Sequence, residues 1–283
     1  MSRSIPVIYI AGSSHSGSTL LDLLLGSHSA VESVGEAKKI PELLSRVKQG
    51  DSPLCTCQTE LMRCPLWGGI LSRDVGDLKH DAAANASLFR LILERQGKSV
   101  IIDSSKTLGR ALLFARSGLF SPILVHLVRD SRAVVFSSKR KRLQYRSRGH
   151  RTIEIARGWQ KLNTRIPRRI VGKTPWPLLR VRYEDLTANP RSVLEKILGA
   201  AGLAWEEQAM RFREHVHHNV EGNRMRMASG SQIKRDEEYL CSLGPAEWGL
   251  VTLLTWQGLR RFGYPLKRST VAPDTGATTP SLR

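Results

Sequence analysis

The stretch Val7-Ile8-Tyr9-Ile10-Ala11-Gly12-Ser13-Ser14-His15-Ser16-Gly17-Ser18-Thr19-Leu20-Leu21-Asp22-Leu23-Leu24-Leu25 decides how the chain is read. Its opening run, Val7 to Ala11, is apolar throughout and suits a strand covered on both faces. Small residues follow, and then a leucine-rich run of helical length. A strand, a small-residue loop and a helix start together make an anion site. The N–H groups of a first helical turn point at the ligand, and the helix dipole favours negative charge there. Gly and Ser also let a ligand approach the backbone closely. Gly12 to Thr19 fits the spacing G-x-x-x-x-G-K-[ST], except that Ser18 stands where the lysine belongs. That lysine holds the β- and γ-phosphates in nucleoside triphosphatases, so its absence argues against ATP or GTP hydrolysis. Taken alone, the same residues also read as a plain Ser/Gly turn.

Outward from this stretch, short β-rich runs alternate with helical patterns. The predicted strands are Val7–Ala11, Ser99–Asp103, Ile123–Val128 and Leu178–Arg182. Helical patterns cover Ser18–Ser27, Lys106–Ser117, Asp130–Arg148 and Arg191–Ala201, the last with Asn189 as cap and Pro190 at its first position. The alternation predicts an α/β fold, a three-layer sandwich with a central parallel sheet of the P-loop-like kind. One domain is expected over residues 1–268. Residues 51–74, rich in Cys, Pro and Gly, read as an insertion or lid, and residues 269–283 as a disordered tail.

Composition is that of a globular protein apart from its charge. The chain carries 44 Lys and Arg against 25 Asp and Glu, a formal +19. Such a field draws in anions and says nothing of fold. No segment approaches the ~20 apolar residues of a membrane span, and the run Ile5–Ala11 is short for a signal peptide, so a cytoplasmic protein is expected. Lys139, Arg140, Lys141, Arg142, Arg146, Arg148 and Arg151 form a cluster too dense for one helical face, and most of it reads as solvated charge. Its functional readings are capture of an anionic small molecule, attraction of an acidic acceptor, or transient contact with an anionic membrane surface. A nucleic-acid-binding protein is disfavoured, because only Tyr145 interleaves with these cations. Cys55, Cys57 and Cys64 fall within ten residues, but the one-residue gap departs from the usual C-x₂₋₄-C of zinc sites. Free thiols, a labile disulfide and a partial metal site all stay open, and no metal is expected.

A second motif follows the third predicted strand. Arg129 stands at that strand's carboxyl end, where ligands bind in open α/β sheets. Ser137 comes eight residues later, about two helical turns on. Arginine and a hydroxyl there can clamp a second phosphate, although each residue alone reads as surface. The two motifs together resemble the 3′-phosphoadenosine 5′-phosphosulfate (PAPS)-dependent sulfotransferases. Gly12 to Leu25 is similar to their 5′-phosphosulfate loop, and Val128 to Ser138 to their 3′-phosphate element. Tyr183-Glu184-Asp185-Leu186 resembles their Tyr-Glu-x-Leu segment, and Gly222-Asn223-Arg224-Met225-Arg226 the late loop that closes over the nucleotide in bacterial members. The match runs from Val7 to about Tyr264 and is similar to both bacterial and tyrosylprotein sulfotransferases.

The resemblance implies PAPS as sulfuryl donor and an acceptor hydroxyl or amine on a carbohydrate, lipid, peptide or small molecule. A P-loop-type nucleotide or small-molecule kinase is the alternative, weakened by the missing lysine and the lack of a convincing magnesium-binding pair. By the same resemblance Ser14, His15, Ser16, Gly17, Ser18 and Thr19 hold the phosphosulfate. Arg129 and Ser137 hold the 3′-phosphate with help from Lys141, Tyr183 lines the nucleotide pocket, and Asn223 and Arg224 belong to the closing loop. Glu36 falls where tyrosylprotein enzymes keep their catalytic glutamate, which makes it the expected base; alone, it reads as a helix-start carboxylate. One departure is that these loops usually carry Lys or Arg where this chain has His15. Either a protonated His15 supplies that cation, or Lys106 does so from the end of the next strand, with Asp103 to orient it.

Overall fold

Alternate residues of a strand point to opposite faces of its sheet, and in this chain both faces are covered. Val7, Tyr9 and Ala11 pack into one hydrophobic cluster, and Ile8 and Ile10 into another. The computed structural model describes residues 4–145, 152–171, 174, 176–227 and 232–268. It places these residues on β1 (Ile5–Gly12), followed by β2 (Val31–Ser33), β3 (Val100–Lys106), β4 (Phe120–Val128) and β5 (Leu178–Arg182). The strands form one sheet in the order β2-β3-β1-β4-β5, and all neighbours run parallel. The chain therefore leaves central β1 towards one edge and returns to build the other. That reversal is where α/β sheets bind ligands.

The helices in chain order are α1 (Ser18–Gly26), α2 (Ile40–Lys48), α3 (Gly68–Leu71), α4 (Ala82–Gln96), α5 (Leu108–Ser117), α6 (Ser131–Tyr145), α7 (Thr152–Ile170), α8 (Tyr183–Ala188), α9 (Pro190–Ala200), α10 (Tyr239–Ser242) and α11 (Pro245–Arg261). Chain contacts divide the protein into two compact units. One is Met1–Arg129 with Leu162–Lys234, and the other Asp130–Lys161 with Arg235–Arg283.

The first unit holds the sheet. Leu20, Leu21, Leu23, Leu24 and Leu25 of α1 and Leu194, Ile197 and Leu198 of α9 cover the face that Ile8 and Ile10 present. The opposite face meets Ile40 and Leu43 of α2, Phe89 and Ile92 of α4, Phe114 of α5 and Ile166 and Ile170 of α7. Phe89, Phe114 and Phe120 meet there ring against ring, with centroids 4.3–6.0 Å apart. A parallel sheet between two helical layers is the predicted fold class. The Cys/Pro/Gly-rich insertion sinks Cys55, Leu61, Cys64, Leu66, Trp67 and Ile70 into this second face.

The second unit is helical. Ala133 of α6 packs with Tyr239, Leu243 and Trp248, and Val135 with Ala156 and Val251. Arg132 is buried, forks onto Asp130 and lies 4.1 Å over the Trp248 ring. Within the basic cluster Lys139 pairs with Glu247, and Arg140 with Asp236 and Glu238. These two cations are partly neutralised surface charge. The side chains of Lys141 and Arg142, and all of Arg146, Arg148 and Arg151, lie outside the described residues, as does the predicted tail at 269–283.

The sequence reading ends β3 too early and misses β2 altogether. β3 continues to Lys106, which was assigned to the next helix, because Lys106 pairs with Ala11 of β1 after a register shift. α5 consequently starts at Leu108. β2, only three residues long, gave no periodic signal; Glu32 within it is held by Lys98 at 2.8 Å.

Candidate functional site

The loop between β1 and α1 is shaped by two glycines. Gly12 lies so close to β4 that a Cβ there would stand 2.4 Å from the Leu127 carbonyl oxygen. Gly17 has φ +94°, and its Cβ would strike the Tyr183 ring, also at 2.4 Å. His15 adopts φ +64°, a conformation that is uncommon without glycine and gathers at functional sites. The first backbone bond of α1 runs from Leu21 N–H to the Gly17 carbonyl at 3.2 Å. The N–H groups of Ser18, Thr19 and Leu20 thus have no partner within the helix. Ser13 and Ser16 are buried, and their hydroxyls bond to no other described group. Buried polar atoms of that kind suit a strongly accepting ligand.

Arg129 follows β4 directly. It is 5% exposed, donates to the His15 carbonyl at 3.2 Å and stacks 4.3 Å over the Tyr183 ring. Asn223 reaches the start of α1, its N–H donating to Thr19 Oγ1 at 3.1 Å. The structure therefore brings Ser14 to Thr19, Arg129, Tyr183 and Asn223 into one neighbourhood. Ser137 and Lys141 lie on α6 in the second unit, Ser137 buried there. The Arg224 side chain, like that of Lys141, is outside the described residues.

A second group forms where β2 and β3 end. Glu36 and Lys106 make a close ion pair, each side chain under 15% exposed. Lys106 has φ +68°, so the chain turns sharply as β3 stops. Gly35, at φ +62°, packs against Val220, whose carbonyl accepts from the Glu36 N–H at 2.9 Å. Asp103 does not orient Lys106 as expected. Its carboxylate pairs with buried Arg110 at 2.7 Å and accepts from the Ser105 N–H.

Sequence reasoning missed two residues here. Lys38 is partly buried beside Glu36 and Lys106; burial holds its pKa below the usual lysine value, while Glu36 opposes that shift. Its only signal was its place two residues after Glu36. Asp22, wholly buried on α1, accepts from Ser33 at 2.5 Å, Ser104 at 3.0 Å and Asn219 at 2.8 Å. Burial raises its pKa to about 7 despite these three donors, with Asp103 adding to the rise. Asp22 ties α1 to the ends of β2 and β3 and to the 219–223 segment. A lone Asp inside a leucine helix was the available signal.

Among the described residues no helix is long and apolar enough to cross a membrane. No curated protein gives a significant match to the chain. Solved structures with this fold include the sulfotransferase domain of the Synechococcus PCC 7002 olefin synthase. It is 23% identical with TM-score 0.58, over 94% of this chain and 98% of that one. The sulfotransferase domain from the curacin biosynthetic pathway is 21% identical with TM-score 0.58, over 94% and 100%. A Mycobacterium avium sulfotransferase is 13% identical with TM-score 0.52, over 95% and 79%. At these identities the likeness speaks for the fold. The family itself is identified by a sequence model, described as the Sulfotransferase family, that matches residues 6–207. That match takes in the loop between β1 and α1, Glu36, Lys106, Arg129 and Tyr183, and the chain belongs to the sulfotransferase family.

Proposed function

We propose that the chain transfers the sulfuryl group of PAPS to an acceptor hydroxyl or amine. The observation that carries this reading is the loop at the start of α1, where the buried hydroxyls of Ser13 and Ser16 bond to no described group and buried Arg129 holds the His15 carbonyl. Two anionic groups of one nucleotide suit such a site better than a triphosphate with magnesium, given Ser18 in place of lysine. Sulfuryl transfer is like phosphoryl transfer in needing positioning and charge stabilisation more than covalent help. The bond from sulfur to the bridging phosphate oxygen breaks as a bond from sulfur to the acceptor forms. The acceptor's proton passes to Glu36, and adenosine 3′,5′-bisphosphate departs. Lys106 or His15 offsets the charge on the sulfuryl and leaving groups. Arg129 holds the 3′-phosphate, and Arg224 with Asn223 closes over the nucleotide.

Arg129→Ala tests the assignment of the two phosphates. A charge-assisted hydrogen bond to a buried anion is worth about 1.5–3 kcal/mol, so bisphosphate affinity should fall roughly 10- to 150-fold. Adenosine 5′-phosphosulfate, which has no 3′-phosphate, should bind nearly as before. Arg129 also holds the His15 carbonyl. Equal losses for both ligands in calorimetric titrations would mean that it shapes the loop and does not read the 3′-phosphate.

A further inference from the structure

We propose that Cys55, Cys57, Cys64 and His218 form a tetrahedral zinc site that staples the Cys/Pro/Gly-rich insertion to the segment framing the phosphate loop. Their donor atoms, three sulfurs and one imidazole nitrogen, all lie within 4.8 Å of one another. Cys64 Sγ is 3.5 Å from Cys55 Sγ, 3.7 Å from Cys57 Sγ and 3.2 Å from His218 Nδ1. Cys55 Sγ is 3.9 Å from the same nitrogen. A tetrahedron with zinc–sulfur bonds of about 2.3 Å has edges of about 3.8 Å, close to these separations. A disulfide would need two sulfurs at about 2.05 Å, and it would leave the third thiol and His218 without a role.

The surrounding backbone holds the donors in place. Gln58 N–H bonds to the Cys55 carbonyl at 3.0 Å, and Cys55 N–H to the Thr59 carbonyl at 2.9 Å. This turn, with Gln58 at φ +67°, brings Cys55 and Cys57 to the same centre despite the one-residue gap. The Trp67 indole N–H donates to the His218 carbonyl. Thr56 bonds to the Asn219 carbonyl through its N–H at 3.3 Å and its hydroxyl at 2.9 Å. Arg226 spans both sides, reaching Thr56 Oγ1 and the carbonyls of Leu54 and Asn219.

The donor set names the metal. Three thiolates and an imidazole are soft ligands that select zinc over magnesium or calcium. Four protein ligands leave no open position, so the site is structural and not catalytic. As each zinc–sulfur bond forms, its thiol releases a proton to solvent, and His218 binds as neutral imidazole. The site's reach extends along the chain. His218 precedes Asn219 on Asp22, Val220 on Glu36 and Asn223 on Thr19.

The test uses the full chain, expressed with zinc in the medium. Elemental analysis should find about one zinc per chain. Ellman's reagent should titrate exposed Cys241 alone, and all four cysteines after a strong chelator. Cobalt added to the chelated protein should give thiolate-to-cobalt charge-transfer bands and the intense d–d bands of a tetrahedral ion. Cys64→Ser should lose those charge-transfer bands or weaken cobalt binding at least tenfold, whereas Cys241→Ser should change neither. If Cys64→Ser fails to fold, the wild-type and Cys241→Ser spectra still decide. A metal-free protein with four reactive thiols before chelation, a disulfide found among the three insertion cysteines, or an octahedral cobalt spectrum would overturn the proposal.

Discussion

Glu36→Gln is expected to lower sulfuryl transfer by about 10²–10⁴-fold, the usual contribution of a positioned general base, while bisphosphate affinity stays within a few-fold of wild type. Gln keeps the shape of Glu and an oxygen that can accept from Lys106, so the loop between β2 and α2 should stand. The Glu36 N–H bond to Val220 is a backbone bond and is untouched. What Gln removes is the capacity to take a proton, needed only when an acceptor reacts. Melting temperature and bisphosphate titration check that the fold and the donor site survive. Full turnover in this variant would mean that the base lies elsewhere and that the family's glutamate is not carried by Glu36.

Lys106→Met carries the second large effect, a rate loss of about 10²–10³-fold, by analogy with removing one oxyanion donor. Met keeps the apolar stem of the lysine and deletes its charge. The ion pair with Glu36 gives this variant two consequences. The carboxylate loses its ion-pair partner, and the sulfuryl group loses a nearby cation. The second consequence is expected to dominate, because charge spread over the transferring group is what such sites stabilise. The rival reading puts His15 in that role. Turnover would then fall as pH rises through the histidine's pKa, and His15→Arg would flatten the profile. A Lys106→Met enzyme of near wild-type rate, together with a flattened profile in His15→Arg, would assign the cation to the loop.

How far the sequence revealed this site depended on the range over which each signal acts. The β1–loop–α1 unit was legible because apolar run, glycines and leucine helix are all local and agree. Arg129 was legible because the end of a buried strand can be read off its apolar run. The end of β3 was not. Ser104 and Ser105 lie beyond the apolar run on which the strand was read, and it is pairing with β1 that carries the strand past them to Lys106. The same limit hid the fourth ligand of the cysteine cluster. Spacing within residues 55–64 counted three sulfurs and argued against a metal, whereas His218 arrives from a distant part of the chain. Asp22 was passed over for a related reason. Its three donors come from β2, β3 and the 219–223 segment, and no window of sequence contains them together.

The loop at the start of α1 is proposed to receive the donor nucleotide of sulfuryl transfer. A titration of the purified chain with adenosine 3′,5′-bisphosphate, set beside one with ATP and magnesium and followed by melting temperature, tests it most directly. Binding is expected to be saturable, and at a hundredfold excess over the dissociation constant the bisphosphate should stabilise the fold by about 2.7 kcal/mol. ATP with magnesium should stabilise it less. No shift with the bisphosphate, or an equal shift with ATP and magnesium, would contradict the assignment.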